Sequence, residues 1–100
     1  MKVVWSEQAE KELKEVFTYY KTAANAKVAN KIISEIFSVT RALKKHKEMG
    51  RIEENKNVAG KGYRFLVSGN YKIVYRIANV KTVFIATVFD CRQNPDKLIV

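Results

Sequence analysis

Hydrophobic residues follow one spacing in the first half of the chain and another in the second. Over residues 9–43 they recur at every third or fourth position, in two separate stretches. Over residues 63–89 they recur mainly at every second position. The first spacing is typical of amphipathic helices, and the second is typical of strands with one buried face. The chain therefore predicts a helical region followed by a β-sheet region.

The helical region predicts two helices. The first begins after Ser6, a favourable N-cap residue, and the second runs from about residue 26 to residue 45. Only residues 22–25 interrupt the pattern, so we expect an antiparallel helical hairpin. The apolar stripes that define the two helices consist of Ala9, Leu13, Val16, Phe17 and Tyr20, and of Ala29, Ile32, Ile33, Ile36, Phe37, Thr40 and Leu43.

The strands complete a β-α-α-β-β-β order. A short β-prone segment at residues 2–5 precedes the helices, and a polar loop at 51–62 separates them from three alternating strands. A sheet this small needs both helices on one face to bury enough surface. We therefore predict one α+β domain over residues 1–100, with a helical hairpin packed on one face of a mainly antiparallel sheet.

Composition limits the functional classes. The chain has 100 residues, 47% of them hydrophobic, and a net charge of +9, which favours polyanions or an acidic protein as partners. Its one cysteine, Cys91, and its one histidine are too few for an internal disulfide or a His/Cys zinc site. No apolar run approaches the roughly 20 residues of a membrane span. We predict a cytoplasmic protein without metal or cofactor.

The positive charge is concentrated in one window. Residues 41–81 hold eleven basic and three acidic residues, a net charge of +8, and residues 55–89 contain no acid at all. A solvated surface normally mixes both signs, so this window is a candidate anion-binding or partner-binding surface. A merely solubilising surface is the alternative reading.

The strand pattern suggests how some of these cations could meet. If the helices cover the face of Tyr63, Phe65 and Val67, alternation places Arg64, Lys72 and Arg76 on the other face. A three-residue turn at 68–70 would make Lys72 and Arg76 diagonal neighbours of Arg64, within reach of one anion. A two-residue turn would change the register and separate them.

Several segments together resemble one protein family. They are Val-Val-Trp-Ser-Glu-Gln-Ala-Glu at 3–10, Tyr-Arg-Phe-Leu-Val at 63–67, Gly-Asn-Tyr-Lys-Ile-Val-Tyr-Arg at 69–76 and Val-Phe-Asp-Cys-Arg-Gln-Asn-Pro at 88–95. In this order and spacing the chain resembles the RelE/ParE superfamily of bacterial toxins, nearly end to end. The resemblance implies the toxin of a type II toxin-antitoxin pair, neutralised by an acidic antitoxin that would suit the charge of +9.

The superfamily divides by target. The resemblance implies either a ParE-like inhibitor of DNA gyrase or a RelE-like, ribosome-dependent endoribonuclease that cuts messenger RNA. Under the ribonuclease alternative, Arg64, Lys72 and Arg92 would be the catalytic residues that hold the scissile phosphate. Under either reading, these three residues and Arg76 are candidates for contacting the target or a nucleic acid.

The chain's ending favours the ParE-like branch. RNA cleavage needs a base and an acid, and arginine does not titrate in a useful range. From Asp90 onward the chain has no tyrosine and no histidine, and Leu66 is apolar where ribonuclease members often have a lysine. The alternative to a functional role for Asp90 and Arg92 is a structural one, a local ion pair. Cys91 lacks a neighbouring base in the sequence, so we expect a buried thiol.

Overall fold

The computed structural model describes residues 1–100. Its elements are β1 (Lys2–Trp5), α1 (Glu7–Ala23), α2 (Ala26–Ala42), β2 (Arg51–Ile52), β3 (Tyr63–Ser68), β4 (Tyr71–Asn79), β5 (Thr82–Asp90) and a 3-10 turn at Pro95–Lys97. The strands form one sheet in the order β1-β5-β4-β3-β2, in which only β1 and β5 are parallel. The predicted two-layer α+β arrangement is confirmed.

Side-chain caps fix where the helices begin. The Ser6 Oγ accepts a hydrogen bond from the Ala9 N–H at 2.9 Å, and its hydroxyl donates to the Ala86 carbonyl at 2.8 Å, which ties α1 to β5. The Asn25 Oδ1 accepts from the Val28 N–H at 2.9 Å and caps α2. Each cap satisfies an amide that the first helical turn leaves free. The second helix ends at Ala42, about three residues before the predicted end.

The larger core lies between the helices and one face of the sheet. Tyr75 is fully buried there, donates a hydrogen bond to the Lys47 carbonyl at 2.8 Å and accepts one from the Gly50 N–H at 2.9 Å. A Cβ on Gly50 would lie 2.6 Å from the Tyr75 oxygen, so only glycine fits. The buried residues of this core are Ala9, Val16, Ile36, Leu43, Tyr71, Ile73, Tyr75, Val83, Ile85 and Val88.

A smaller core lies on the opposite face of the sheet. Val74 and Phe89 project from the strands and meet Val58 of the 53–62 loop and Leu98 of the C-terminal tail. The Asn57 side-chain amide joins the two segments by donating to the carbonyls of residues 96 and 98, at 3.0 and 2.9 Å. The loop and tail, which the hydrophobic spacing did not predict to pack, therefore cover this face.

The β3–β4 hairpin corrects the predicted register. Ser68 pairs with Tyr71 and Arg64 pairs with Tyr75, so the turn has two residues and not three. Gly69 has a φ of 57°, which glycine adopts without strain and which suits a tight hairpin turn. Directly paired residues share a face, so Arg64 lies on the helix side with Tyr75. The prediction that Arg64, Lys72 and Arg76 cluster on one face is therefore wrong, because Arg64 lies on the other face.

Candidate functional site

Arg64 supports the segment that follows α2. Its Nη1 donates hydrogen bonds to the Glu48 carbonyl at 3.2 Å and to the Gly50 carbonyl at 2.9 Å. These carbonyls lie just before β2 at the edge of the sheet. Charged donors to backbone oxygens are strong hydrogen bonds. Arg64 therefore stabilises the segment between α2 and β2.

Lys72 lies on the opposite face and is neutralised there. Its Nζ is 2.9 Å from the Oε2 of Glu53, a side chain that is only 4% exposed, and that oxygen has no other polar partner. The Oε1 of Glu53 accepts from the Asn55 N–H at 3.1 Å. The Lys72 Nζ also lies 4.4 Å from the centre of the Phe65 ring. Most of the Lys72 charge is therefore satisfied inside the fold.

Arg76 shares the face of Lys72 but not its position. Four residues of strand separate the two, which corresponds to about 13 Å. The Arg76 guanidinium lies 4.9 Å from the centre of the Phe84 ring and forms no ion pair in the chain. Its charge is therefore available to a partner.

Arg92 is held in one orientation by Asp90. Its Nε and Nη2 donate to the two carboxylate oxygens of Asp90, at 3.0 and 2.9 Å, so the predicted local ion pair is confirmed. This contact lowers the pKa of Asp90 below its ordinary value. The Nη1 of Arg92 makes no hydrogen bond within the chain, and half of the side chain is exposed. Arg92 is therefore an oriented cation with a free donor.

An open pocket of about 320 Å³ lies beside Arg92. The other lining residues include Tyr19, Tyr71 and Glu12. The Tyr71 hydroxyl donates to the Tyr20 hydroxyl at 3.4 Å, and this bond lowers the pKa of Tyr20, whereas burial raises the pKa of Tyr71. The pocket thus combines one cation, the three carboxylates of Glu12, Glu15 and Asp90, and aromatic hydroxyl groups.

Glu12 connects this pocket to the sheet. Its Oε1 accepts from the Thr87 hydroxyl at 2.7 Å and from the Val88 N–H at 3.0 Å. Burial nevertheless raises the pKa of Glu12, because these neutral donors only partly replace water. Glu12 therefore fixes α1 against β5. Arg92 is the one cation in the pocket wall.

The three residues of the ribonuclease alternative do not meet. Arg64 lies on the helix face, Lys72 lies on the opposite face, and Arg92 lies in the tail beyond β5. Stabilisation of one phosphorane would require their donors to converge on one point. Lys72 and Arg76 share a face, as predicted, and Arg92 stands beside the Tyr71 pocket.

Cys91 corrects a further expectation. The side chain is exposed, so the prediction of a buried thiol is wrong. The physical reason is that Cys91 follows the last residue of β5, where the chain turns out of the sheet and its amide bonds to the Asn70 carbonyl at 2.8 Å. Desolvation still raises the pKa of the thiol, which disfavours the nucleophilic thiolate.

Two features were missed at the level of sequence. The sequence places Glu53 in a polar loop. Its position just before the acid-free stretch at 55–89 is the one signal that it could pair with a strand lysine. Phe37 belongs to the apolar stripe predicted for the second helix, but it is 38% exposed and contacts Trp5 edge to face, with ring centres 5.6 Å apart. The positions of both depend on tertiary packing, which periodicity does not report.

Comparisons with known proteins agree with this fold. No curated protein sequence matches the chain significantly. The chain is similar to a solved structure titled chromosomal ParDE TA system from P. aeruginosa, with 19% identity, a TM-score of 0.75, and 90% of this chain and 95% of that chain covered. It is also similar to the YoeB/ParE toxin from Agrobacterium tumefaciens, with 15% identity, a TM-score of 0.58, and coverage of 88% and 95%.

The family model is the more specific match. The model for the ParE toxin of the type II toxin-antitoxin system parDE aligns with residues 3–95. This range runs from the second residue of β1 to the first residue of the C-terminal 3-10 turn, and it includes both α-helices and the strands β2 to β5 in full. The chain therefore belongs to the ParE toxin family of type II toxin-antitoxin systems.

Proposed function

We propose that this ParE-family toxin arrests growth by binding DNA gyrase, and that an acidic antitoxin neutralises it in the cytoplasm. The family match over residues 3–95 carries the proposal. No helix of the chain combines the length and apolarity needed to cross a membrane. Binding to a protein target needs a shaped and charged surface, and it does not need an acid and a base.

The dispersal of the cations supports a binding mode of action. Arg64 donates to backbone carbonyls and Lys72 pairs with Glu53, so contacts inside the fold hold both side chains. Arg92 is held by Asp90 and cannot serve as a proton acceptor. Such an arrangement suits recognition more than cleavage of a phosphodiester.

Arg92 is the residue that we assign to the target contact. Its guanidinium is already oriented by Asp90, so little side-chain entropy would be lost on binding. The free Nη1 and the neighbouring exposed Tyr19 place a guanidinium beside an aromatic ring, and arginine and tyrosine are both common at the centre of protein interfaces. Arg76 contributes a second cation on the back of the sheet, and Lys72 and Arg64 contribute less.

The antitoxin proposal rests on charge and on the pairing that the neighbour's title names. The solved structure from P. aeruginosa is titled a ParDE TA system. A chain with a net charge of +9 attracts an acidic partner at long range, and this attraction raises the rate at which the two associate. Expression of the toxin alone should stop growth, and co-expression of the neighbouring open reading frame should restore it. Normal growth with abundant soluble protein would contradict an active toxin.

A supercoiling assay tests the gyrase target. Purified gyrase is incubated with relaxed plasmid and increasing toxin, and the wild-type chain should inhibit supercoiling. Arg92→Ala should raise the half-inhibitory concentration about tenfold, because a hydrogen-bonded charge at an interface is lost. Lys27→Ala, which removes an exposed cation at the start of α2, is the matched control and should change it less than twofold. Unimpaired supercoiling at saturating toxin would refute the gyrase proposal.

A further inference from the structure

A small notch between β1 and α2 combines aromatic rings with cations. It has a volume of about 170 Å³, and its wall consists of Val3, Trp5, Phe37, Thr40, Arg41 and Lys44. Phe37 is 38% exposed although it is a large hydrophobic residue, and its ring is fixed edge to face against Trp5. The notch therefore offers a preformed aromatic surface to solvent.

The cations of the notch have no acidic partner. The chain contains three ion pairs, and none of them involves Arg41 or Lys44. Arg41 donates only to the Ser38 hydroxyl at 3.0 Å, and both cationic side chains are exposed. These two cations flank the rings without being neutralised by the fold.

Further cations surround the same end of the molecule. Lys81 lies beside Lys2, whose amide donates to the Lys81 carbonyl at 2.7 Å. The Lys47 Nζ reaches the carbonyl of the adjacent residue Val80 at 3.4 Å. None of these lysines forms an ion pair. Five cations thus lie at this end of the molecule: Lys2, Arg41, Lys44, Lys47 and Lys81.

We propose that the notch binds an unpaired base of a single-stranded nucleic acid, with Arg41 and Lys44 on the adjoining phosphates. Aromatic side chains within a basic surface are the usual means of binding single strands, because every base has a face that can stack. A duplex hides those faces, and an acidic peptide offers such a face only where it carries an aromatic residue. Rings flanked by two cations without ion pairs match the stacked bases and phosphates of a single strand, and the site is separate from the Arg92 surface assigned to gyrase.

Trp5 provides a direct readout because it is the only tryptophan in the chain. We would titrate the purified protein with a single strand of about 12 nucleotides and follow Trp5 emission at several salt concentrations. The strand should quench Trp5, and salt should weaken its binding steeply. Poly-glutamate, the probe for an acidic partner, and a duplex of equal length should bind more weakly and leave the emission nearly unchanged. The assay contains no gyrase, so its result is independent of the proposed target.

Matched variants separate the notch from the general positive charge. Arg41→Ala with Lys44→Ala should weaken binding of the single strand about tenfold and lower the salt slope by about 1.4. Lys21→Ala with Lys27→Ala removes the same charge about 21 Å or more from Arg41 along the hairpin, and should change binding less than twofold. Phe37→Ala should weaken binding about tenfold, whereas Phe37→Tyr should retain it.

The opposite results would overturn the proposal. Equal losses in the two charge variants would mean that binding is a nonspecific effect of net charge. Quenching by poly-glutamate at equal or lower concentration would assign the notch to an acidic protein. Equal binding of the duplex, or no change in Trp5 emission, would exclude stacking of a base. These outcomes remain decisive even if Phe37→Ala fails to fold, because the charge variants alter only exposed side chains.

Discussion

The two faces of the sheet are covered in different ways. On one face, two capped helices with regular apolar stripes bury the larger core. On the other face, a loop without regular spacing and the C-terminal tail bury only a few side chains around Val74 and Phe89. The helices that cover the first face follow from hydrophobic periodicity, whereas the loop and tail that cover the second depend on single buried residues such as Val58 and Leu98. Irregular segments can therefore decide which strand residues remain available for function.

The β3–β4 hairpin shows the consequence for the cations. One residue fewer in its turn puts Arg64 with the helices and leaves Lys72 with the loop. Each side chain is then held on its own face of the sheet, Arg64 by hydrogen bonds to carbonyls near Gly50 and Lys72 by its ion pair with Glu53. A surface that is strongly basic in sequence thus becomes several separate environments.

Ile36→Ala should have the largest effect, because Ile36 is fully buried under the helical cover. Removing its side-chain carbons should lower the free energy of unfolding by about 3–4 kcal/mol. Urea unfolding followed by circular dichroism measures this loss. A loss no larger than that of the back-face variants below would contradict the view that the helix face supplies most of the stability.

Lys72→Met should lower the free energy of unfolding by about 2–3 kcal/mol, because it leaves the Glu53 carboxylate buried without a cation. Adding Glu53→Gln should restore most of the loss. Lys56→Met is the matched control, since the Lys56–Asp96 pair is exposed and should contribute less than about 0.5 kcal/mol. Equal effects at Lys72 and Lys56 would show that the back-face ion pair is not structurally important.

Leu98→Ala should cost about 2 kcal/mol, near the lower end for a buried leucine, because the tail can relax around the site. Limited proteolysis should cleave the tail faster, while the helices keep their protection from hydrogen exchange. Loss of protection in the helices as well would mean that the two covers unfold as one unit.

Arg64→Met should cost about 1–2 kcal/mol through its bonds to the carbonyls of Glu48 and Gly50. At a temperature where the variant is still folded, its inhibition of gyrase should be close to wild type. A large loss of inhibition in a stable variant would instead place Arg64 in the target contact.

Glu12→Gln should have the smallest effect, a change in how the free energy of unfolding depends on pH. Its pKa is raised by burial above the ordinary 4.5, so the folded state binds the proton more tightly than the unfolded state. The contribution of Glu12 to stability is therefore greatest below the ordinary pKa and falls as pH rises through the raised value. Urea unfolding, repeated as pH rises through this range, should show a smaller fall in the free energy of unfolding for Glu12→Gln than for the wild-type chain. An unchanged profile would contradict the assigned burial cost.

Much of the fold could be predicted from sequence because it depends on local patterns. The helix stripes and the alternating strands report burial directly, and Ser6 marks the start of α1. Together they predict the element order, apart from the two-residue strand β2 in the predicted loop. The hairpin register could not be predicted, because Ser-Gly-Asn at 68–70 is compatible with turns of two or three residues. One residue of difference reverses the face of Arg64.

The candidate site was predictable only in part. The contact between Asp90 and Arg92 is local in sequence and was foreseen as an alternative. The Lys72–Glu53 pair joins a strand to a distant irregular loop, and the exposure of Phe37 depends on how α2 packs beside β1. Such contacts are set by tertiary packing, so neither spacing nor charge counts indicate them.

Mapping of messenger RNA in a translating cell-free reaction tests the separation of the cations most directly. Purified protein is added with a defined message, and the 5′ ends are located by primer extension. If Arg64, Lys72 and Arg92 act in separate environments, the message should stay intact at toxin concentrations that inhibit gyrase. Codon-phased cuts that require ribosomes, and that disappear with Arg92→Ala, would contradict the account and make the chain a ribonuclease.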